Sequence, residues 1–417
     1  MATKCLIKKV KVVDAPSKYH NKVVDILVLD NRIAEIKSSI NPASSVKIIQ
    51  GEDLHASISW MDLGTQTGEP GLEHREDWGS LARASKAGGY GVLAPFPNTL
   101  PAIQSKADLH FIKQKAKSHQ VVVYPIAALS TDNAGADITE MYDLYMAGAA
   151  AFSDGLKTVS HAGLLARALE YVKTFNGLII HHPSEKHLTQ EAQMHEGEMS
   201  TMLGMRGMPS TAEVIGLKRD LDLLAYTQSR LCVYGITAAE SVKILKEARK
   251  NPMGQLTSTV PYLNLIYTDK ALEQFDTNLK VMPPLRKKSD QQELIKGLKE
   301  GTIDAIVSNH YPIEEEGKKL EFPYAKFGAS GIETCFAACN TFVTGLDLET
   351  LIDKLTYGPR AIMGIGSEGI VAGAPAHLTL FEPDTEFVFD ESHSRSQNNP
   401  FLGKTLRGKI VDVLTER

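Results

Sequence analysis

Cysteine is scarce in this chain. The four cysteines among 417 residues, Cys5, Cys232, Cys335 and Cys339, are scattered, and none forms a Cys-x-x-Cys pair. That excludes a disulfide framework and a cysteine-built zinc site, leaving reduced, buried thiols as the expectation. No stretch of about 18 apolar residues is present, which excludes a bilayer-spanning helix. No charged N-terminal stretch leads into an apolar run with a cleavage site, so a cytoplasmic protein is expected. There is no excess of basic residues either. A net charge of -5 offers no field for nucleic acid or anionic membrane, so proteins or small molecules are the expected partners. Internal repeats and low-complexity segments are absent.

What is present is ample material for a core, with 43% hydrophobic and 23% charged residues. The length suits two or three ordinary domains or one large α/β barrel with an addition. The first fifty residues alternate β-branched runs, LIKKVKVVD, VVDILVLD and RIAEIKS, with polar turns, which predicts a small antiparallel sheet. Similar texture returns at the end in GIVAGAPAHLTLFEP, EFVFDES and LRGKIVDVLTE. The two ends, 1–54 and 366–417, are therefore expected to pair into one β-sandwich. Between them, over 55–365, short apolar strands such as GVLAPFP, VVVYPIAAL, AAAFSD, GLIIHH, RLCVYGIT and TIDAIVSNH alternate with helical segments. So many βα units favour a closed (β/α)8 barrel, whose strand ends hold the site.

Several stretches carry a resemblance: EPGLEHRED, FPNTLP, AFSDG, HEGEMSTMLGMRGMPSTAEVIGLKRDL, KVMPPLR, GASGIET and NNPFLGKTLRG, in this order along nearly the whole chain. Together they resemble the dihydroorotase family of the amidohydrolase superfamily. The resemblance implies a metal-dependent (β/α)8 barrel that opens a cyclic amide in pyrimidine biosynthesis. It also implies a ligand set, which this sequence largely lacks. The opening family pattern, Asp-x-His-x-His-x-Arg-Glu-Pro-Gly, reads Asp62-Leu63-Gly64-Thr65-Gln66-Thr67-Gly68-Glu69-Pro70-Gly71. Both histidines are replaced, by Gly64 and Gln66, and the arginine that grips the substrate carboxylate by Gly68. The family's His-x-x-His strand has Cys232 and Gly235, and its catalytic, metal-binding aspartate is Asn309. Met282 stands at a substrate-binding asparagine, and Tyr262 and Leu263 replace a His-His pair.

Four of six ligand positions, Gly64, Gln66, Gly235 and Asn309, thus lack the family's donors. Asp154 and His182, or its neighbour His181, remain as vestigial metal positions, with residual zinc expected only at low occupancy because a zinc site wants about four donors. Asn98 keeps a substrate contact, and His310 is a candidate acid or base without a metal-bound water to act on. The bland alternatives are a helix-capping role for Asp154, a hydrogen-bonded strand end for His182, a turn for Asn98, a solvated loop for His195, Glu196 and Glu198, a core role for Cys335 and Cys339, and a solvated turn for Lys287 and Lys288. The leading expectation is a noncatalytic homologue, homodimeric, serving as a structural or regulatory partner of aspartate carbamoyltransferase. Against it stand an active dihydroorotase or related cyclic amidohydrolase recruiting metal through Asp154, His182 and His310, and a small-molecule sensor using Asn98, Tyr262 and Tyr311.

Overall fold

The computed structural model describes residues 4–41, 46–251 and 253–415. Strands β1 (Cys5–Val12), β2 (Val23–Leu29), β3 (Arg32–Lys37) and β4 (Lys47–Ile49), which mix buried and exposed residues, begin the chain, followed by the fully buried β5 (His55–Ile58). The mixture then gives way to short runs that are fully buried except for the half-buried β8. These are β6 (Trp60–Thr65), β7 (Tyr90–Pro95), β8 (Val122–Val123), β9 (Ile126–Ala128), β10 (Ala151–Ser153) and β11 (Ile179–His181). A small parallel ribbon, β12 (Met194–His195) and β13 (Gly207–Met208), lies in the long connection after His182. The series resumes with β14 (Arg230–Val233), β15 (Gln255–Pro261) and β16 (Ala305–Val307), and the chain finishes on two long strands, β17 (Leu378–Phe389) and β18 (Lys404–Leu414).

β6 to β11 and β14 to β16 form the barrel. They run parallel in two hydrogen-bonded groups, β6-β7-β8 and β9-β10-β11-β14-β15-β16. Strands covered on both faces read as unbroken apolar runs, as several of these do. The VVVYPIAAL run is split at Tyr124-Pro125: β8 pairs with β7 and β9 with β10. The circle closes between β16 and β6, where Ser308 N donates to Asp62 Oδ1 at 2.8 Å and Gln66 N donates to the His310 carbonyl at 3.0 Å. Inward-facing Met61, Leu63, Val92, Ile180, Cys232 and Val307 fill the bore. The larger core, with Trp60 and Trp78, lies between strands and helices, and Cys335 and Cys339 are buried there.

The terminal strands differ from expectation in three respects. They are hydrogen-bonded into one seven-stranded sheet, ordered β18-β17-β5-β1-β2-β3 with β4 beside β1, rather than into two separately paired sheets. The reason is β5, which pairs parallel with β1 and antiparallel with β17 and so joins both chain ends in one hydrogen-bonded sheet. The far halves of β17 and β18 carry Phe389 and Leu406 into the barrel core. Secondly, the N-terminal strands are mixed, since β4 and β5 run parallel to β1. Finally, β5 extends the sheet to Ile58, past the expected boundary at 54, because Ile58 is in register with Leu378. β17 passes through Pro383 without ending: the register shifts between Glu382 and Glu386 absorb a residue that has no N–H to donate.

Candidate functional site

Parity along the barrel strands decides which side chains reach the mouth. Successive strand residues face opposite sides, so His182 and Tyr234 share the inward face of Ile180 and Cys232, while His181 points out to the helices. Outside the barrel, His181 Nδ1 donates to Asp220 Oδ2 at 2.6 Å and Nε2 accepts from Val159 N at 3.0 Å. Both ring nitrogens are engaged. His182, the inward residue, donates from Nδ1 to the Tyr234 carbonyl at 3.0 Å, and burial pushes its pKa down, which keeps the imidazole neutral.

Tyr234 lies between Cys232 and Gly235, and no sequence pattern singles it out. Its ring meets Phe96 edge-on at 4.9 Å between centroids, and its hydroxyl donates to the Leu63 carbonyl at 3.3 Å. Together the two rings close the top of the bore. They also explain Gly64: a Cβ at this residue would lie 2.6 Å from both a Phe96 ring carbon and the Tyr234 hydroxyl, and the backbone there has φ +88°. Gly235 too has positive φ, +76°, and a Cβ there would approach Pro283 at 3.1 Å and His182 Nδ1 at 3.6 Å.

The carboxylate and amide positions are engaged as well. Asp154 caps no helix; its Oδ1 accepts from Leu129 N at 3.1 Å and Ser130 N at 2.9 Å, and its Oδ2 accepts from the Ser130 hydroxyl. Burial raises its pKa, although the Ser130 hydrogen bonds oppose the shift. Asn309, at φ +45°, donates from Nδ2 to the Met282 carbonyl at 3.0 Å. An aspartate in this conformation would direct an oxygen at that carbonyl. Asn309→Asp is therefore expected to destabilise the protein by about 1–2 kcal/mol in urea unfolding, and a neutral or stabilising result would refute this role. His310 does not face the mouth: its Nε2 lies 3.2 Å from Glu76 Oε2 and its Nδ1 accepts from Ile332 N. Glu76 in turn accepts from the Ser80 and Ser394 hydroxyls and from Arg395 N, forming a buried polar knot behind the barrel rim.

A divalent ion does not fit this arrangement. Among the described residues, no group of three or more His, Cys, Asp and Glu side chains is placed to hold a metal ion. Asp154, His182 and His310 are not brought together as a donor set, each being hydrogen-bonded to a different neighbour.

A cavity of about 580 Å³ opens beside Gln66 and Asn98. Gln66, Asn98, Leu156, Met282, Tyr311 and Phe327 line it, with Arg75 and Lys157 at its edges. Gln66 Nε2 donates to Asn98 Oδ1 at 3.4 Å, and Asn98 Nδ2 donates to the Asp154 carbonyl at 3.1 Å, so an amide pair forms its polar floor. Arg75 is held by Glu314 at 2.6 Å. Tyr262 does not line this space; its hydroxyl lies buried beside Thr334, 3.3 Å away. The HEGEMS stretch is only half solvated. Glu196 and Glu198 are exposed, but His195 is buried against Arg286 at 3.2 Å, in a network that includes Glu213 and Thr237. Lys287 and Lys288 are exposed at the helix start beyond it.

The eight-fold βα barrel with an appended sheet is a fold shared with solved hydantoinases. The L-hydantoinase (dihydropyrimidinase) from Arthrobacter aurescens superposes with TM-score 0.87 at 20% identity, covering 100% of this chain and 95% of that one. The dihydropyrimidinase from Brevibacillus agri gives 0.82 at 20% identity, over 99% and 94%. Sequence is more specific. A family model described as Dihydro-orotase-like matches residues 59–241. A dihydroorotase of Syntrophus aciditrophicus (strain SB) is 35% identical over 99% of this chain and 98% of its own length, and one of Thermoanaerobacter sp. (strain X514) is 35% identical over 94% and 92%. The chain belongs to the dihydroorotase family.

Proposed function

We propose that this chain acts in pyrimidine biosynthesis as a noncatalytic dihydroorotase homologue, a homodimeric structural or regulatory partner of aspartate carbamoyltransferase. The observation that carries the reading is the Phe96–Tyr234 pair packed against Gly64, in a barrel mouth where Asp154, His182 and Asn309 are each tied to a neighbour. Ring opening of a cyclic amide near neutral pH needs a metal to activate water and polarise the carbonyl, and this donor set does not supply its ligands.

The expected result for the purified protein is substoichiometric zinc by elemental analysis, no ring opening of dihydroorotate, and a complex with aspartate carbamoyltransferase in native mass spectrometry. Stoichiometric zinc with turnover would overturn the reading in favour of an active enzyme with an atypical metal site. Absence of any complex would remove the partner role.

The cavity supports a second reading, a small-molecule sensor. Its amide floor and its Leu156, Met282 and Phe327 walls suit a compact ligand with a polar edge. A ligand at a hundred times its Kd stabilises the folded state by about 2.7 kcal/mol, which a thermal-shift screen of pyrimidine-pathway metabolites would register. A flat screen would count against it.

A further inference from the structure

The mouth described above lies past the carboxyl ends of the barrel strands, where Gln66 follows β6 and Asn98 follows β7. At the opposite, amino-terminal end a separate cavity of about 520 Å³ is lined from both the barrel and the terminal sheet. Ile58, the last residue of β5, meets there with Val92 from the first half of β7, Val122 of β8, Tyr124 and the connection 365–369 that leads back to the sheet. Arg360, on the helix Tyr357–Met363, completes the lining and is only 6% exposed. Its Nη1 donates to the Thr356 carbonyl at 2.9 Å and its Nη2 to the Ser59 carbonyl at 2.6 Å, which ties the start of that helix to the link between β5 and β6.

A guanidinium carries five N–H donors and a permanent positive charge. The two carbonyls use two of the donors and bring no negative charge, and among the described residues Arg360 makes no ion pair. Asp14 acts on it only through space, because its own oxygens accept from the Tyr357 hydroxyl and from Ile370 N, each at 2.6 Å. Glu368, on the connection that lines the cavity, is exposed and unpaired with Arg360 among the described residues. Neutral donors surround the charge. The half-buried Tyr124 hydroxyl has no protein partner among the described residues, nor do the N–H groups of Gly366, Ser367 and Glu368. A cation taken out of water without a counter-charge costs free energy that an arriving anion offsets, and the wall of a cavity is where one can arrive.

We propose that this second cavity binds an oxyanion, the phosphate or carboxylate group of a small metabolite, on the unused N–H groups of Arg360, with Tyr124 and the amides of 366–368 as neutral donors. A planar guanidinium suits either group, since both present paired oxygens at the spacing of its donors. The site lies at the other end of the barrel from the mouth, whose own Arg75 is taken by Glu314, and it does not depend on how the mouth is read. Were Arg360 a structural tie alone, its two carbonyl bonds would suffice and added anions would bind no differently when the charge of the neighbouring loop is changed.

Inorganic phosphate is the probe, its phosphorus NMR line width titrated against the full chain at constant ionic strength. The expected result is saturable binding of one phosphate per chain. Ser367→Glu, which sets a carboxylate on the exposed connection, should weaken it by about tenfold or more. Glu368→Gln, which removes one, should strengthen it by about threefold. Arg360→Gln should abolish it; should that variant fold poorly, the two exposed loop positions still decide the matter. Lys157→Gln, at the mouth, should leave the affinity unchanged. No saturable binding to the parent protein, or equal affinity in the parent and Ser367→Glu, would overturn the site, and so would loss of binding in Lys157→Gln. Competition with succinate separates the two ligand classes: displacement of phosphate at lower concentration assigns the site to carboxylates, and failure to displace it assigns the site to phosphate esters.

Discussion

Gly64→Ala is expected to destabilise the barrel by about 3 kcal/mol, a large effect for one added methyl group. Two costs combine. The new Cβ meets a Phe96 ring carbon and the Tyr234 hydroxyl at 2.6 Å, and it must adopt φ +88°, a conformation that only glycine takes without strain. Neither ring can retreat easily, since Phe96 is 2% and Tyr234 0% exposed and both are packed in the bore. Trp60 and Trp78 are both buried in the barrel and give the unfolding signal in a urea titration. A loss under 1 kcal/mol would mean that the rings move freely. Tyr234→Ala made together with Gly64→Ala should cost about 1–2 kcal/mol less than the sum of the single changes, because the same atoms collide. A histidine placed at 64 alone meets the same obstacle.

Asp62→Ala is expected to cost about 3 kcal/mol, whereas Asp62→Asn should cost about 1. The Asp62 carboxylate is fully buried and accepts from Ser308 N at 2.8 Å, from the Ser308 hydroxyl at 2.7 Å and from the Thr65 hydroxyl, so it fastens the first barrel strand to the end of the last. Alanine strands the Ser308 N–H, while asparagine keeps an acceptor for it and lets the two hydroxyls reorient. Burial pushes the Asp62 pKa up, so the folded state holds this proton more tightly than the unfolded chain does. That contribution is complete below the ordinary carboxylate range and is lost as pH rises through the raised value. Urea midpoints of Asp62→Asn should therefore fall less between acidic and neutral pH than those of the parent. Equal pH profiles would refute the assignment.

The substitutions at Gly64, Gln66, Gly235 and Asn309 were legible in the sequence because each stands in a recognisable pattern. Their physical cause was not. Tyr234 sits at a position that no pattern singled out, and only its inward parity across from Phe96 shows why residue 64 is glycine. The surroundings of His310 are hidden for a related reason. Its partner Glu76 lies 234 residues away, and no local spacing reveals which side of a turn faces the mouth. Among the barrel strands, β15 is the least visible from composition: its QLTSTVP run is rich in Thr and Ser, and half of its buried residues are polar. The terminal strands were legible as strands but not as one continuous hydrogen-bonded sheet, since the residues of β5 give no sign that both of its edges are used.

That double pairing of β5 has a consequence for how the chain reaches its native state. Asp14, just past β1, receives the Ile370 N–H across 356 residues, and Trp60 N donates to the Thr379 hydroxyl across 319. As the ribosome extends the chain, the first strands wait with an unpaired edge until β17 emerges. Loop closure over such distances is slow, and an open edge is a template for pairing with other chains. The barrel can thus begin to collapse during synthesis while the sheet beside it is completed last. This makes the β5 edge the place where a folding helper, or a wrong neighbour, has most time to act.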